Sequence, residues 1–168
     1  TQTLIAGLNV ATGKIIGACG ATRTEEDLKN FIERVVTENK GYKKYHFVGD
    51  QLNTHKSESL VCLVAGLCGR TDDLGVKGKA GILASMPSRE EFLTDPDKKI
   101  VFHYTPKHAS WMNQIEVWFG MLARKVIKRG NFKSTEELKE KIMAFIDYFN
   151  NTMAKPFKWT YQGKVMVA

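Results

Sequence analysis

Apolar positions recur along this chain with two spacings, and the changes between them divide it into elements. TLIAGLNVATGKIIGACG is two apolar runs joined at Ala11-Thr12-Gly13-Lys14, a hairpin pattern. Thr24 is placed to cap a helix that opens with Glu25, Glu26 and Asp27, and Leu28, Phe31, Ile32, Val35 and Val36 form its buried stripe. YHFVGD (45 to 50) is a short strand ending on a charge, and the stretch from Thr54 through SESLVCLVAGLCG is a helix that stops at Gly66 or Gly69. KIVFHYTP is a strand halted by Pro106. From Met112 to Lys128, the positions Ile115, Trp118, Phe119, Leu122 and Val126 mark an amphipathic helix ended by Gly130. A last helix follows Ser134, with Glu137 completing a capping box and Leu138, Ile142, Phe145, Ile146 and Phe149 on one face.

Residues 69 to 98 break this rhythm. They are rich in Gly, Asp and Lys, carry only a weak helical signal from Ser88 to Leu93, and read as an insertion. The tail KPFKWTYQGKVMVA has no clear period, and no internal repeat is visible. A hairpin first, then strands alternating with helices, predicts an α/β domain: one mixed sheet with helices on its faces, spanning residues 1–168 as a single unit.

Composition narrows the class. With 43% hydrophobic and 26% charged residues the chain supports one full core. No apolar run approaches the roughly 18 residues of a membrane span, and TQTLIAGLNV lacks the order of a signal peptide, so a cytoplasmic protein is expected. Cys19, Cys62 and Cys68 form no C-x-x-C pair and lie in apolar surroundings, which predicts buried thiols rather than disulfides or a zinc site. Lys and Arg number 25 against 18 Asp and Glu, a formal charge of +7, and the pI is about 9.3. That balance favours a polyanionic partner. The excess is local: Arg124, Lys125, Lys128 and Arg129 fall within six positions.

The candidate chemistry begins with Asp50, a carboxylate at the tip of a strand that should otherwise stay apolar. Ligands of α/β sheets gather at such strand ends, although an isolated Asp there is also a common turn or cap residue. Glu116 is a second acid, in the first turns of a helix packed by Trp111, Ile115, Trp118 and Phe119. The helix macrodipole alone would favour it. Hard cations such as Mg²⁺ bind through one or two carboxylates, and two ions roughly 3.5–4 Å apart serve phosphoryl transfer. Arg124 lies about two turns beyond Glu116 on the same side, where it could hold a phosphate backbone. Lys107 and His108, after Pro106, are further phosphate candidates, and Trp111 could stack on an unpaired base. His55, His103 and His108 have no metal-ligand spacing such as H-x-x-x-H.

VGDQLNTH and YTPKHASWMNQIEVWF, in that order, together with LGVKGKAGIL, LARKVIKRGNF, IDYFNNTMAKPFKWTY and the NVATGK hairpin, resemble mariner-like bacterial insertion-sequence transposases of the DDE superfamily. The resemblance runs over essentially the whole chain. It implies an RNase H-like mixed β-sheet flanked by helices, like the retroviral integrase core. It also implies Asp50 as the second and Glu116 as the third catalytic, metal-binding acid, with His55 and Asn113 in supporting roles. Two Mg²⁺ or Mn²⁺ ions, transposon-end and target DNA, nucleoid association and a possible homodimer belong to the same expectation, as does hydrolysis at the transposon end followed by strand transfer.

Two departures accompany the resemblance. The family's first aspartate lies on a strand before the NVATGK hairpin, and this sequence starts at Thr1 without it; taking the first hairpin as the catalytic strand would put Asn9, a neutral residue, in its place. The upstream helix-turn-helix region is likewise missing, so a catalytic-domain fragment with impaired activity is expected. Residues 69–98 also lengthen the interval between Asp50 and Glu116, a change that loop-closure entropy tolerates. Two other classes stay open: another RNase H-like nuclease, or a non-catalytic DNA-binding or dimerisation module.

Overall fold

The computed structural model describes residues 1–107 and 112–158. His108 and Trp111, and Trp159 in the tail, lie outside the described residues.

Strands β1 (Thr3–Leu8) and β2 (Ile15–Gly20) pair antiparallel, with Leu8 opposite Ile15 at the turn. Asn9 makes that turn. Its Oδ1 accepts from the backbone N–H groups of Ala11 (3.0 Å) and Thr12 (3.3 Å), and its carbonyl accepts from Gly13 (2.7 Å). Gly13 has φ +74°, and a Cβ there would meet the Lys155 carbonyl oxygen at 1.9 Å. Only glycine serves, because both the left-handed backbone and the approaching chain exclude a side chain.

Helix α1 (Glu25–Glu38) is capped as its sequence predicts: Thr24 Oγ1 accepts from Asp27 N, and Asp27 accepts from Thr24 N at 2.7 Å. Strand β3 (Tyr45–Gly49) leads through a 3₁₀ turn (Asn53–Lys56) into helix α2 (Glu58–Leu67), which Ser57 caps. A small hairpin, β4 (Gly75–Val76) and β5 (Ala80–Gly81), precedes helix α3 (Met86–Thr94). Strand β6 (Ile100–Tyr104) then returns parallel to β3. Helix α4 (Ile115–Leu122) runs into a π-helical turn (Ala123–Ile127), and helix α5 (Thr135–Thr152) follows. At its start Ser134 accepts from Glu137 N, but the Glu137 carboxylate takes the N–H of Lys133, so the predicted box closes one residue early.

Two apolar clusters organise these elements. In the first, α1, α2 and α3 pack against Ile5, Ile16 and Ala18 of the hairpin and against Tyr45, Phe47, Phe102 and Tyr104 of the parallel pair. In the second, α4 and α5 cover the hairpin's other face through Leu4, Ala6, Leu8 and Ile15. Alternating residues of a strand point to opposite faces, which is how one hairpin serves both clusters. On the face of the β3–β6 pair turned away from α1, α2 and α3, His46, Val48 and His103 are exposed while Val101 is buried.

The architecture is α/β with antiparallel and parallel pairings, as a mixed sheet requires. Among the described residues, however, the strands form three two-stranded ladders rather than one continuous sheet. The first two share the α1–α2 layer without bonding to each other. Strands β2 and β6 contain buried residues, whereas β1 and β3 contain none.

Residues 69–98 are integrated into the core, where Leu83, Phe92 and Leu93 are buried. Their sequence signal was weak because the buried pair of α3 is adjacent at its end, not spaced along a stripe. The cysteines differ from expectation. Cys62 faces solvent on α2, and Cys19 and Cys68 are half-buried. All three are free thiols. Apolar neighbours in sequence say little about which side of an element a residue takes.

Candidate active site

Asp50 follows the last residue of β3, and its side chain does two things at once. Oδ1 accepts from Leu52 N at 3.1 Å, the turn role that a strand-end Asp often has. The same oxygen lies 2.8 Å from His55 Nδ1. Among the described residues Oδ2 has no hydrogen-bond partner, and a quarter of the side chain is exposed. Gly49 makes the room: a Cβ there would stand 3.2 Å from His55 Nδ1.

His55 is held from behind. The Tyr104 hydroxyl donates to the His55 carbonyl at 2.6 Å. Burial, with the negative Glu90 nearby, pushes the phenol's pKa well up, so it stays a protonated donor. Next along the chain, Lys56 is 5% exposed; its ammonium contacts Glu90 Oε2 at 2.7 Å and Gln51 Oε1 at 2.5 Å, and stands 4.7 Å from the centre of the Tyr104 ring. Gln51 donates to the Thr105 carbonyl, and Thr105 N donates to Gly49 O. Arg89 of α3 donates to the carbonyls of Lys56 and Leu83. The 3₁₀ turn behind Asp50 is thus gripped by α3, which sequence reasoning had not connected to it. Lys56, Glu90, Gln51, Tyr104 and Arg89 were all missed. A lysine in an otherwise polar stretch carries no local sign that it is buried.

Glu116 sits in the first turn of α4 and its side chain is exposed. Its backbone N–H donates to Asn113 O at 3.0 Å, and Asn113 Oδ1 accepts from Ile115 N at 3.5 Å. Asn113 therefore stands at the helix start. Ile115 and Trp118 anchor the helix to the hairpin cluster. Asp50 is carried by the parallel pair and Glu116 by a helix packed on the antiparallel one. Among the described residues no hydrogen bond or ion pair joins them, and no three His, Cys, Asp or Glu side chains form a metal cluster.

The five basic candidates are all exposed. Lys107 follows β6, Arg124 and Lys125 lie on the π turn, and Lys128 and Arg129 come just after it. Among the described residues none of the five is in an ion pair, so their charge is available to a polyanion. Asn9, by contrast, spends its side chain on the hairpin turn. His103 makes its contact with His46, at 3.0 Å, rather than with any acid.

The α/β scaffold carries one carboxylate at a parallel-strand end, another opening a packed helix, and exposed basic side chains further along. The family described as DDE superfamily endonuclease matches residues 1–139, and the chain belongs to it. No curated protein and no solved structure matches. Membership makes this a domain of the nuclease and transposase class and implies a DNA substrate. DDE endonucleases generally use divalent metals, and the donors present fit a hard cation: an exposed glutamate and an aspartate with one uncommitted oxygen. Among the described residues no helix is long and apolar enough to cross a membrane.

Proposed function

We propose that this chain is the catalytic domain of a mariner-like transposase of the bacterial insertion-sequence kind, with Asp50 and Glu116 as its second and third metal-binding acids. The observation that carries the reading is the state of Asp50. Its Oδ1 accepts from Leu52 N and lies 2.8 Å from His55 Nδ1, which also contacts the Asp50 carbonyl oxygen at 3.1 Å, while among the described residues Oδ2 has no hydrogen-bond partner.

In this reading Asp50 and Glu116 hold two divalent ions, which when bound supply the electrostatic stabilisation of phosphodiester hydrolysis and strand transfer. His55 keeps Asp50 in one rotamer, Asn113 braces the start of α4, and Arg124, Lys125, Lys128, Arg129 and Lys107 hold the DNA backbone. Residues 1–168, read as one domain with 69–98 inserted between the acids, would bind transposon-end and target DNA. Homodimerisation and nucleoid association in the cytoplasm belong to the same proposal.

The test compares wild-type, Asp50→Asn and Glu116→Gln chains for Mn²⁺ affinity and for DNA binding at rising salt. Each substitution should weaken Mn²⁺ by about tenfold or more, while DNA affinity without metal stays the same and falls steeply with salt. Mn²⁺ affinity unchanged in both variants would refute the assignment and favour a non-catalytic DNA-binding module.

A further inference from the structure

The face of the β3–β6 pair turned away from α1, α2 and α3 carries two exposed imidazoles that nothing in the nuclease chemistry uses. Parallel pairing sets His46 opposite Val101 and Val48 opposite His103, so both histidines project from the side away from α1, α2 and α3. His46 Nδ1 and His103 Nε2 are 3.0 Å apart, the ring centroids are 5.2 Å apart and the planes meet at 27°. Among the described residues neither side chain forms another hydrogen bond or an ion pair.

One proton can occupy the line between the two nitrogens, so at least one of them presents a lone pair. A divalent ion bound by two imidazoles at about 2.0–2.1 Å, with an angle between octahedral and tetrahedral, needs its nitrogens about 2.9–3.4 Å apart. The observed spacing already lies in that range. What must change is ring tilt, so that both lone pairs converge beside the line instead of along it, and two solvent-exposed rings can make that rotation. Their Cα positions are held by a ladder of paired backbone, so the ligands are presented at nearly fixed separation.

We propose that His46 and His103 form a two-imidazole site for a borderline divalent transition metal, Zn²⁺, Ni²⁺ or Cu²⁺, bridging β3 and β6, with water in the remaining positions. Binding replaces two metal-bound waters by the ring nitrogens. In a neutral pair, the proton between the rings moves through solvent to the other nitrogen of the donor ring, so charge balances without an added reactant. Imidazole prefers these metals to Mg²⁺, which takes oxygen donors. The site therefore differs in chemistry from the Asp50 and Glu116 carboxylates and does not depend on the reading of them. A bound ion would fasten together the two strands whose ends lead to Asp50 and Thr105.

The experiment is calorimetric titration of Zn²⁺ into the full chain in excess Mg²⁺, repeated with His46→Gln, His103→Gln, His108→Gln and the Asp50→Asn/Glu116→Gln double variant. One equivalent should bind in the wild type, the double acid variant and His108→Gln. Each of His46→Gln and His103→Gln should weaken it by about tenfold or more, since losing a ligand costs at least what losing a supporting hydrogen bond does. Proton NMR of the unsubstituted chain gives a second reading: traces of Cu²⁺ should broaden the ring signals of His46 and His103 before those of His55. Absence of saturable Zn²⁺ binding, affinity unchanged in either pair variant, or binding lost with the acids would overturn the site.

Discussion

Glu90→Ala removes the counter-charge from Lys56 and leaves the rest of its surroundings in place. The Lys56 side chain is 5% exposed and that of Glu90 38%. Without the carboxylate, the ammonium keeps, among the described residues, only Gln51 Oε1 and the face of Tyr104. Stripping one partner from a fully buried pair costs about 3–5 kcal/mol. Here the lost partner is partly solvated, so its attraction is already screened, and one hydrogen bond survives. The expected destabilisation is therefore about 2–3 kcal/mol. For a chain of this length each kcal/mol lowers the melting temperature by about 2–4 °C, giving a fall of about 4–12 °C. Equilibrium urea unfolding and thermal melts of the Glu90→Ala chain measure it. Adding Lys56→Met should recover part of the loss, because the stranded charge disappears and an apolar side chain of similar length fills its place. A Glu90→Ala chain within about 0.5 kcal/mol of wild type would refute the argument that the ammonium depends on this contact, and with it the idea that α3 secures the turn behind Asp50.

Asn150 and Asp27 supply two more tests. The Asn150 side chain accepts from Ile15 N at 2.7 Å and donates to Ile15 O at 2.8 Å, acting as a substitute strand partner for a residue only 2% exposed; Asn150→Ala should cost about 2–4 kcal/mol in urea unfolding, from two orphaned backbone groups, and speed exchange of the Ile15 amide. The Asp27 carboxyl is held below the usual aspartate range by the Thr24 N–H first, then by the hydroxyls of Thr24 and Thr22. Its stabilising contribution is present above the unfolded value of about 4 and is lost as pH falls through the folded one, so Asp27→Asn should flatten the acid limb of the stability–pH curve, read from urea midpoints.

Where an element carries its own period or cap, it was legible along the chain. The stripes of α1 and α5, the Thr24 cap and the paired runs of the first hairpin recur in the structure nearly residue for residue. The helix expected over Met112–Lys128 was right in its face and wrong in its regularity: α geometry spans Ile115–Leu122, and a π turn follows. Apolar periodicity tolerates one inserted residue per turn and does not register it. Asp50 and Glu116 stood out as charges in otherwise apolar elements, a local contrast that needs no fold to be seen.

What tertiary structure decided were the pairings between distant segments. Asn150 reaches Ile15 across 135 positions, Glu90 meets Lys56 across 34, and His46 meets His103 across 57. Each depends on how two independently formed elements are brought together, and that is set by burial of both clusters at once rather than by any residue's neighbours in sequence. The sequence by itself determined the α/β class, the order of the elements outside residues 69–98, the basic stretch and the position of two acids in apolar surroundings, because propensity, period and charge act over a few residues. Only the folded chain decided that α3 belongs to the core, that Lys56 is buried, and that the exposed His46 and His103 meet across β3 and β6.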